Sequence, residues 1–273
     1  MKLLSTTLCL AIILAAVGCG GVAPAPQAGA LSGNWEIQLF RHVNPTPPLV
    51  YSGFLVQSGN NITGSLLFNL SAVGSGACEG VGTVNGTTDQ QNVSLTINEQ
   101  GEEISLSGAS PASGSSPALV GQFSSLAGGC TNYANTGDWT ATNIASVGGS
   151  FHGTFTSTDV PSNGTFNVTG TMSQGPNTGG DTATLSGNIV ASGTPNFCPY
   201  LSSATISGLI SGTSMLMNLY GPDGMQITQL GAIGGNSAVT ITPDATSVTG
   251  TYTFPSISSS CGGDEGDFQL SFP

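Results

Sequence analysis

The chain has 273 residues and a formal net charge of −12, from 14 Asp and Glu against one Lys and one Arg. That balance excludes nucleic acid as a partner, because phosphate contacts need clustered Lys and Arg. It excludes electrostatic docking on anionic lipid for the same reason.

In chain order, Lys2 precedes an apolar run from Leu3 to Val17, and the small residues Ala16-Val17-Gly18 lead into Cys19-Gly20. A basic start, an apolar stretch and a small-residue junction are the requirements of an export signal. The junction resembles the lipobox of bacterial lipoprotein precursors, with Ala16 standing where leucine is usual. The resemblance implies that residues 1–18 are a cleaved signal peptide. It also implies that Cys19 is acylated and becomes the mature N-terminus, holding the protein to a membrane outside the cytoplasm. Gly20 replaces the Asp that retains such proteins at the inner membrane, so in a host with two membranes the resemblance implies the outer one. An uncleaved anchor is the alternative, since Leu3 to Val22 approaches the length of a bilayer span. Cys9 lies inside the apolar run and reads as one more apolar residue. Residues 19–30 are Gly-, Ala- and Pro-rich and read as a flexible tether. Beyond it Arg41 is the sole base, which excludes lysine-based covalent chemistry in the processed protein.

From Leu31 onward, Thr, Val, Ile, Phe and Tyr alternate with polar residues between Gly, Asn and Pro punctuation, which is an all-β pattern. Strands are expected at 34–40, 50–57, 61–68, 78–85, 91–98, 103–109, 118–125 and 137–143. The intervening turns include Ser58-Gly59-Asn60, Asn85-Gly86 and Gln100-Gly101. The same unit then recurs. Gly33-Asn34-Trp35 matches Gly149-Ser150-Phe151, Gly53 matches Gly170, and Ile62-Thr63-Gly64 matches Leu185-Ser186-Gly187. Val120-Gly121-Gln122-Phe123 matches Thr249-Gly250-Thr251-Tyr252, and Gly137-Asp138-Trp139 matches Gly266-Asp267-Phe268. A period of about 115–120 residues is domain-sized, giving domains at 31–143 and 147–273. In the second, Met215 to Leu219, the turn Gly221-Pro222-Asp223-Gly224 and Met225-Gln226-Ile227 form a hairpin.

Short strands joined by local turns predict an all-β fold of two tandem antiparallel up-and-down meander barrels, about eight strands each, because closure removes exposed edges. Two β-sandwich domains are the alternative. The opening Gly-x-Trp at Gly33-Asn34-Trp35 and the meander resemble the calycin group of lipocalins and avidins, with Phe151 in place of Trp in the second copy. That resemblance implies a small apolar ligand inside a barrel.

Four cysteines remain beyond Cys9 and Cys19, two at matching places in each repeat. Of the three possible connectivities, the repeat favours Cys78–Cys130 and Cys198–Cys261, each worth about 3–4 kcal/mol in the chain-entropy model. No CxxC or neighbouring His supplies a tetrahedral metal set. His42 and His152 fall at non-equivalent positions and no nucleophile motif accompanies either, so no catalytic residue is assigned. Asp138 and Asp267 could bind a ligand, but Gly-Asp is ordinary turn chemistry. The acidic loop 262–267 lacks the ligand spacing of a calcium loop. Arg41-His42 could serve an anion, though capping a strand end is the plainer role. Met215, Met217, Trp35 and Trp139 are the candidate ligand-lining residues, against core packing as the default reading.

The expectation is therefore a lipid-anchored cell-envelope protein without enzyme activity or cofactor, bound to a membrane through its N-terminal lipid. It would bind a small apolar ligand in a barrel, or act as a surface interaction or structural module.

Overall fold

The computed structural model describes residues 30–43, 47–69, 79–89, 91–109, 118–126, 135–193, 195, 198–234, 238–257 and 261–273. Cys19, Cys78 and Cys130 lie outside the described residues, as do the leader and most of the tether.

The first barrel comprises β1 (Gly33–Arg41), β2 (Leu49–Ser58), β3 (Asn61–Asn69), β4 (Glu79–Thr88), β5 (Asn92–Glu99), β6 (Glu102–Ala109), β7 (Ala118–Ser125) and β8 (Asn135–Ile144). Each strand pairs antiparallel with the next, and β8 returns to β1 from Asn34↔Ile144 to Arg41↔Gly137, closing the barrel. Alternation decides which way each side chain points. Val93, Leu95 and Ile97 of β5 and Ile104 and Leu106 of β6 fill the interior, while Ser94, Ser105 and Ser107 face water. Asn85 and Gly86 form no turn. They are paired residues of β4, opposite Thr96 and Leu95, and a side chain at 86 would lie 2.3 Å from the Ser94 carbonyl. Close strand approach, not a reversal of the chain, explains that glycine. The reversal comes at Asp89, whose carboxylate accepts from the Gln91 and Asn92 amides.

The second barrel contains β9 (Gly148–Ser157), β10 (Thr165–Gln174), β11 (Ala183–Ser192), β12 (Ala204–Ser211), β13 (Ser214–Tyr220), β14 (Gln226–Gly231), β15 (Val239–Ile241), β16 (Ser247–Ile257) and β17 (Cys261–Ser271). It too closes as an eight-strand barrel, because β14 and β15 share one place beside β13. Leu216 pairs with Gly231 and Ser214 with Thr240, so the chain leaves the ladder after Gly231 and rejoins it at Val239. Where β14 passes β16, the Thr228 hydroxyl donates to the Thr253 carbonyl at 2.5 Å. Closure in both halves rules out the sandwich alternative.

Strand register makes the repeat three-dimensional. The opening aromatic faces a glycine in both copies, Trp35↔Gly53 and Phe151↔Gly170. So does the closing one, Trp139↔Gly121 and Phe268↔Gly250. Space is the reason. A Cβ at Gly121 would stand 2.7 Å from Trp139 Nε1, and one at Gly108 2.8 Å from its Cζ2.

The barrels dock end to side. The 212–213 turn of the second meets the outer wall of the first. Asn34 Nδ2 donates to the Gly212 carbonyl at 3.0 Å, and the Gly212 amide returns a bond to Asn34 Oδ1 at 2.8 Å. The Thr213 hydroxyl donates to Glu36, and Ser52 and Ser211 share a hydroxyl contact of 3.0 Å. Phe54 points out of the first barrel and joins the core of the second, together with Ile144 and Val147.

Candidate functional site

The residues expected to line a ligand cavity are packed inside their own barrels. Trp35 and Trp139 share the first core and Met215 and Met217 the second, each at most 1% exposed. Both indoles are hydrogen-bonded, Trp35 Nε1 to the Leu31 carbonyl at 3.0 Å and Trp139 Nε1 to that of Ser107 at 3.1 Å. Cys198 is buried just before the single-turn 3-10 helix Pro199–Ser202, and Cys261 opens β17.

The structure separates the two histidines. His152 is exposed on β9. His42 lies 3.3 Å from Asp138 at the rim of a groove of about 360 Å³ on the outer face of the first barrel. Ser94, Ser105, Ser107, Gln122, Ser124 and Thr136 line that groove. Asp267, the counterpart of Asp138, is exposed on β17 opposite Thr156 and Thr251. Residues 262–267 are strand, not a loop, with Gly262 and Asp264 to Asp267 paired to β16. Asp264 there is buried and accepts from Ser157 Oγ at 2.6 Å, Asn163 Nδ2 at 3.1 Å and Tyr252 Oη at 2.6 Å. Its oxygens are engaged by the chain's own donors. Burial first, and then the bond to Asp264, push the Tyr252 phenol well above its ordinary range. Among the described residues no group of three or more His, Cys, Asp or Glu could hold a metal.

The chemically unusual place is the end of the first barrel where β1, β3, β5 and β7 finish. Here polar side chains point inward. Glu99 ends β5 and Glu102 begins β6, directly paired across a two-residue turn in which Gln100 and Gly101 have positive φ. Both carboxylates continue the inward alternation of Ile97 and Ile104, so the backbone pattern carries them into the barrel. They are 2% and 3% exposed. From β2 the Tyr51 phenol reaches across and donates to Glu99 Oε1 at 3.2 Å. Arg41 ends β1 on the same face as Ile37 and Leu39 and is 4% exposed, turned into the barrel instead of capping a strand end from outside. Ser125 and Asn135 complete this end, also buried.

Burial, reinforced by the facing Glu102 charge, pushes the Glu99 carboxyl up to about 7, against the lowering effect of the Tyr51 bond. Burial and the same two carboxylates hold the Tyr51 phenol well above its usual range. Among the described residues, Arg41 Nε and Glu99 Oε2 are buried without a hydrogen-bond partner. The arrangement can hold a proton near neutral pH, or exchange it for another hydrogen-bond donor. Sequence reading missed Tyr51 and Glu99 and assigned Glu102 no role. The available signal was the alternation Val93, Leu95, Ile97, which taken one step further turns Glu99 inward.

No protein-family model matches this chain, and no curated protein or solved structure shows significant similarity to it.

Proposed function

We propose that the protein is a lipid-anchored, non-enzymatic binding module of the cell envelope. Cys19 carries the lipid, residues 19–30 form the tether, and in a host with two membranes the outer one holds it. The observation that carries this reading is the polarity of the barrel walls. Outward positions are mostly Ser, Thr, Asn and Gln in both barrels, such as Ser105, Ser107 and Gln122 or Thr154, Thr169 and Thr251, with only scattered apolar exceptions such as Val120 and Val190, while the middle of each interior is apolar. A membrane-spanning barrel needs the reverse, an apolar outer band. Walls of this kind stand in water, so membrane attachment calls for a separate anchor.

Tether geometry agrees. The chain enters the first barrel at Leu31, whose amide donates to Gln57 Oε1 at 3.0 Å beside the β2–β3 turn. That is the end opposite Glu99 and Glu102, so the tether joins the barrel away from its polar mouth. Between the two modes of binding, core packing of Trp35, Trp139, Met215 and Met217 favours a surface interaction over an apolar ligand held in a barrel.

Cell fractionation tests the anchor. Wild type should sediment with membranes at a mass showing cleavage and acylation, and Cys19→Ala should be unprocessed or released. A membrane-bound, unprocessed wild type overturns the lipoprotein reading. Native mass spectrometry of protein from its own host tests the mode: no apolar small molecule is expected beyond the N-terminal lipid, and a retained apolar one would restore the barrel-ligand reading. We also infer the pairs Cys78–Cys130 and Cys198–Cys261, so thiol titration after denaturation without reductant should find none of these four free.

A further inference from the structure

The inner end of the first barrel holds two buried groups of opposite charge that do not satisfy one another. Arg41 Nε is a donor without an acceptor, and Glu99 Oε2 has no partner among the described residues. They stand on β1 and β5, opposite walls of an eight-strand ring. Leaving either group unpaired away from water is costly, and more so for charged groups. An anion alone would pair with Arg41 but add negative charge to an end that already holds Glu99 and Glu102. A cation alone would pair with the carboxylates and leave Arg41 Nε as it is. A ligand with both ends satisfies both walls and brings no net charge into a desolvated site.

We propose that this mouth binds a small zwitterion of the α-amino-acid kind, its carboxylate on Arg41 and its ammonium between Glu99 and Glu102. The site goes beyond the anchoring and surface roles above and depends on neither. Tyr51 fixes the Glu99 carboxyl from the far wall through its bond to Oε1, which leaves Oε2 for the ammonium. The pairing of Glu99 with Glu102 sets the two carboxylates on the same wall.

The chemistry leaves a proton signature. The titratable groups against Glu99 are Glu102 on β6 and Tyr51 on β2, and Arg41 stands across the ring on β1. Gly80 and Gly82 on β4, Phe68 on β3, Ser125 on β7 and Asn135 on β8 add nothing titratable. Seating an ammonium between the carboxylates needs both ionised, so binding expels the proton that Glu99 holds up to about 7. Affinity should therefore rise about tenfold from pH 6 to pH 8.

Calorimetric titration of the full processed chain with glycine, acetate and methylammonium tests this at both pH values. Glycine should bind, release a proton below neutrality and tighten at the higher pH, with acetate and methylammonium each at least tenfold weaker. Arg41→Gln and Glu99→Gln should each abolish glycine binding, and Arg41→Lys should weaken it. Glycine binding no tighter than about 1 mM overturns the proposal. So does acetate binding as well as glycine, or an affinity that falls as pH rises. These wild-type readouts stand even where a variant does not fold.

Discussion

A single carboxyl gives the first barrel a pH-dependent stability. Glu99 has a folded-state pKa of about 7 against an ordinary value of 4.5. The folded state therefore holds a proton that the unfolded chain releases, and the associated stability is full below about pH 4.5 and lost as pH rises through 7. A shift of this size corresponds to on the order of 3 kcal/mol. Glu99→Gln cannot ionise and keeps the neutral shape, so it should be the more stable protein at pH 8 and nearly equal to wild type at pH 4.5. Urea denaturation of both proteins across that range checks the difference curve. Parallel curves would show that Glu99 ionises without cost in the fold. This residue also marks the limit of reading from sequence. Its inward direction was legible from Val93, Leu95 and Ile97. Its meeting with Tyr51, 48 positions earlier, required the closure of the barrel.

Among elements, the strands of the first copy were legible almost residue by residue, because a one-sided buried strand must alternate. What failed was the meaning of glycine. Asn85-Gly86 carries a turn signature yet lies mid-strand, since the same residue also serves close packing. Likewise the division of one strand into β14 and β15 follows from a departure after Gly231 that no periodicity announces. The Trp139 bed tests the packing argument. A Cβ at Gly108 would lie 2.4 Å from the Val120 carbonyl and 2.8 Å from the indole, with backbone on one side and a buried ring on the other. Gly108→Ala should cost about 1–3 kcal/mol through forced displacement of the ring. Gly148→Ala, whose nearest neighbour is the Met172 carbonyl at 3.9 Å, should change stability by less than about 0.5 kcal/mol. Thermal unfolding followed by tryptophan emission for the first barrel and far-ultraviolet circular dichroism for both compares the two. Equal midpoints would refute the bed.

At the scale of the whole molecule, the two barrels are joined where polar positions of one wall serve as an interface. Asn34, Glu36 and Ser52 read in sequence as solvent-facing members of alternating strands, and nothing local distinguishes them from Ser94 or Ser107. Only the arrival of Ser211, Gly212 and Thr213 turns them into contacts. Phe54 is the apolar centre of that contact. It is 1% exposed, its amide donates to the Gly180 carbonyl at 3.0 Å, and it closes the near end of the second barrel. Phe54→Ala should cost about 3–5 kcal/mol, as large-to-small changes in a packed core do. The loss should fall on the second barrel and on the coupling, since the side chain packs in that core and not in its own. Both tryptophans belong to the first barrel, so their emission reports that half alone, while far-ultraviolet circular dichroism reports both. Wild type should give coincident transitions by the two probes, and Phe54→Ala should split them, with the circular dichroism change beginning first. Coincident curves in the variant, shifted together to a lower midpoint, would mean that the barrels share stability through the backbone and hydroxyl bonds at Asn34, Glu36 and Ser52. Phe54 would then be an ordinary core residue of a single cooperative unit.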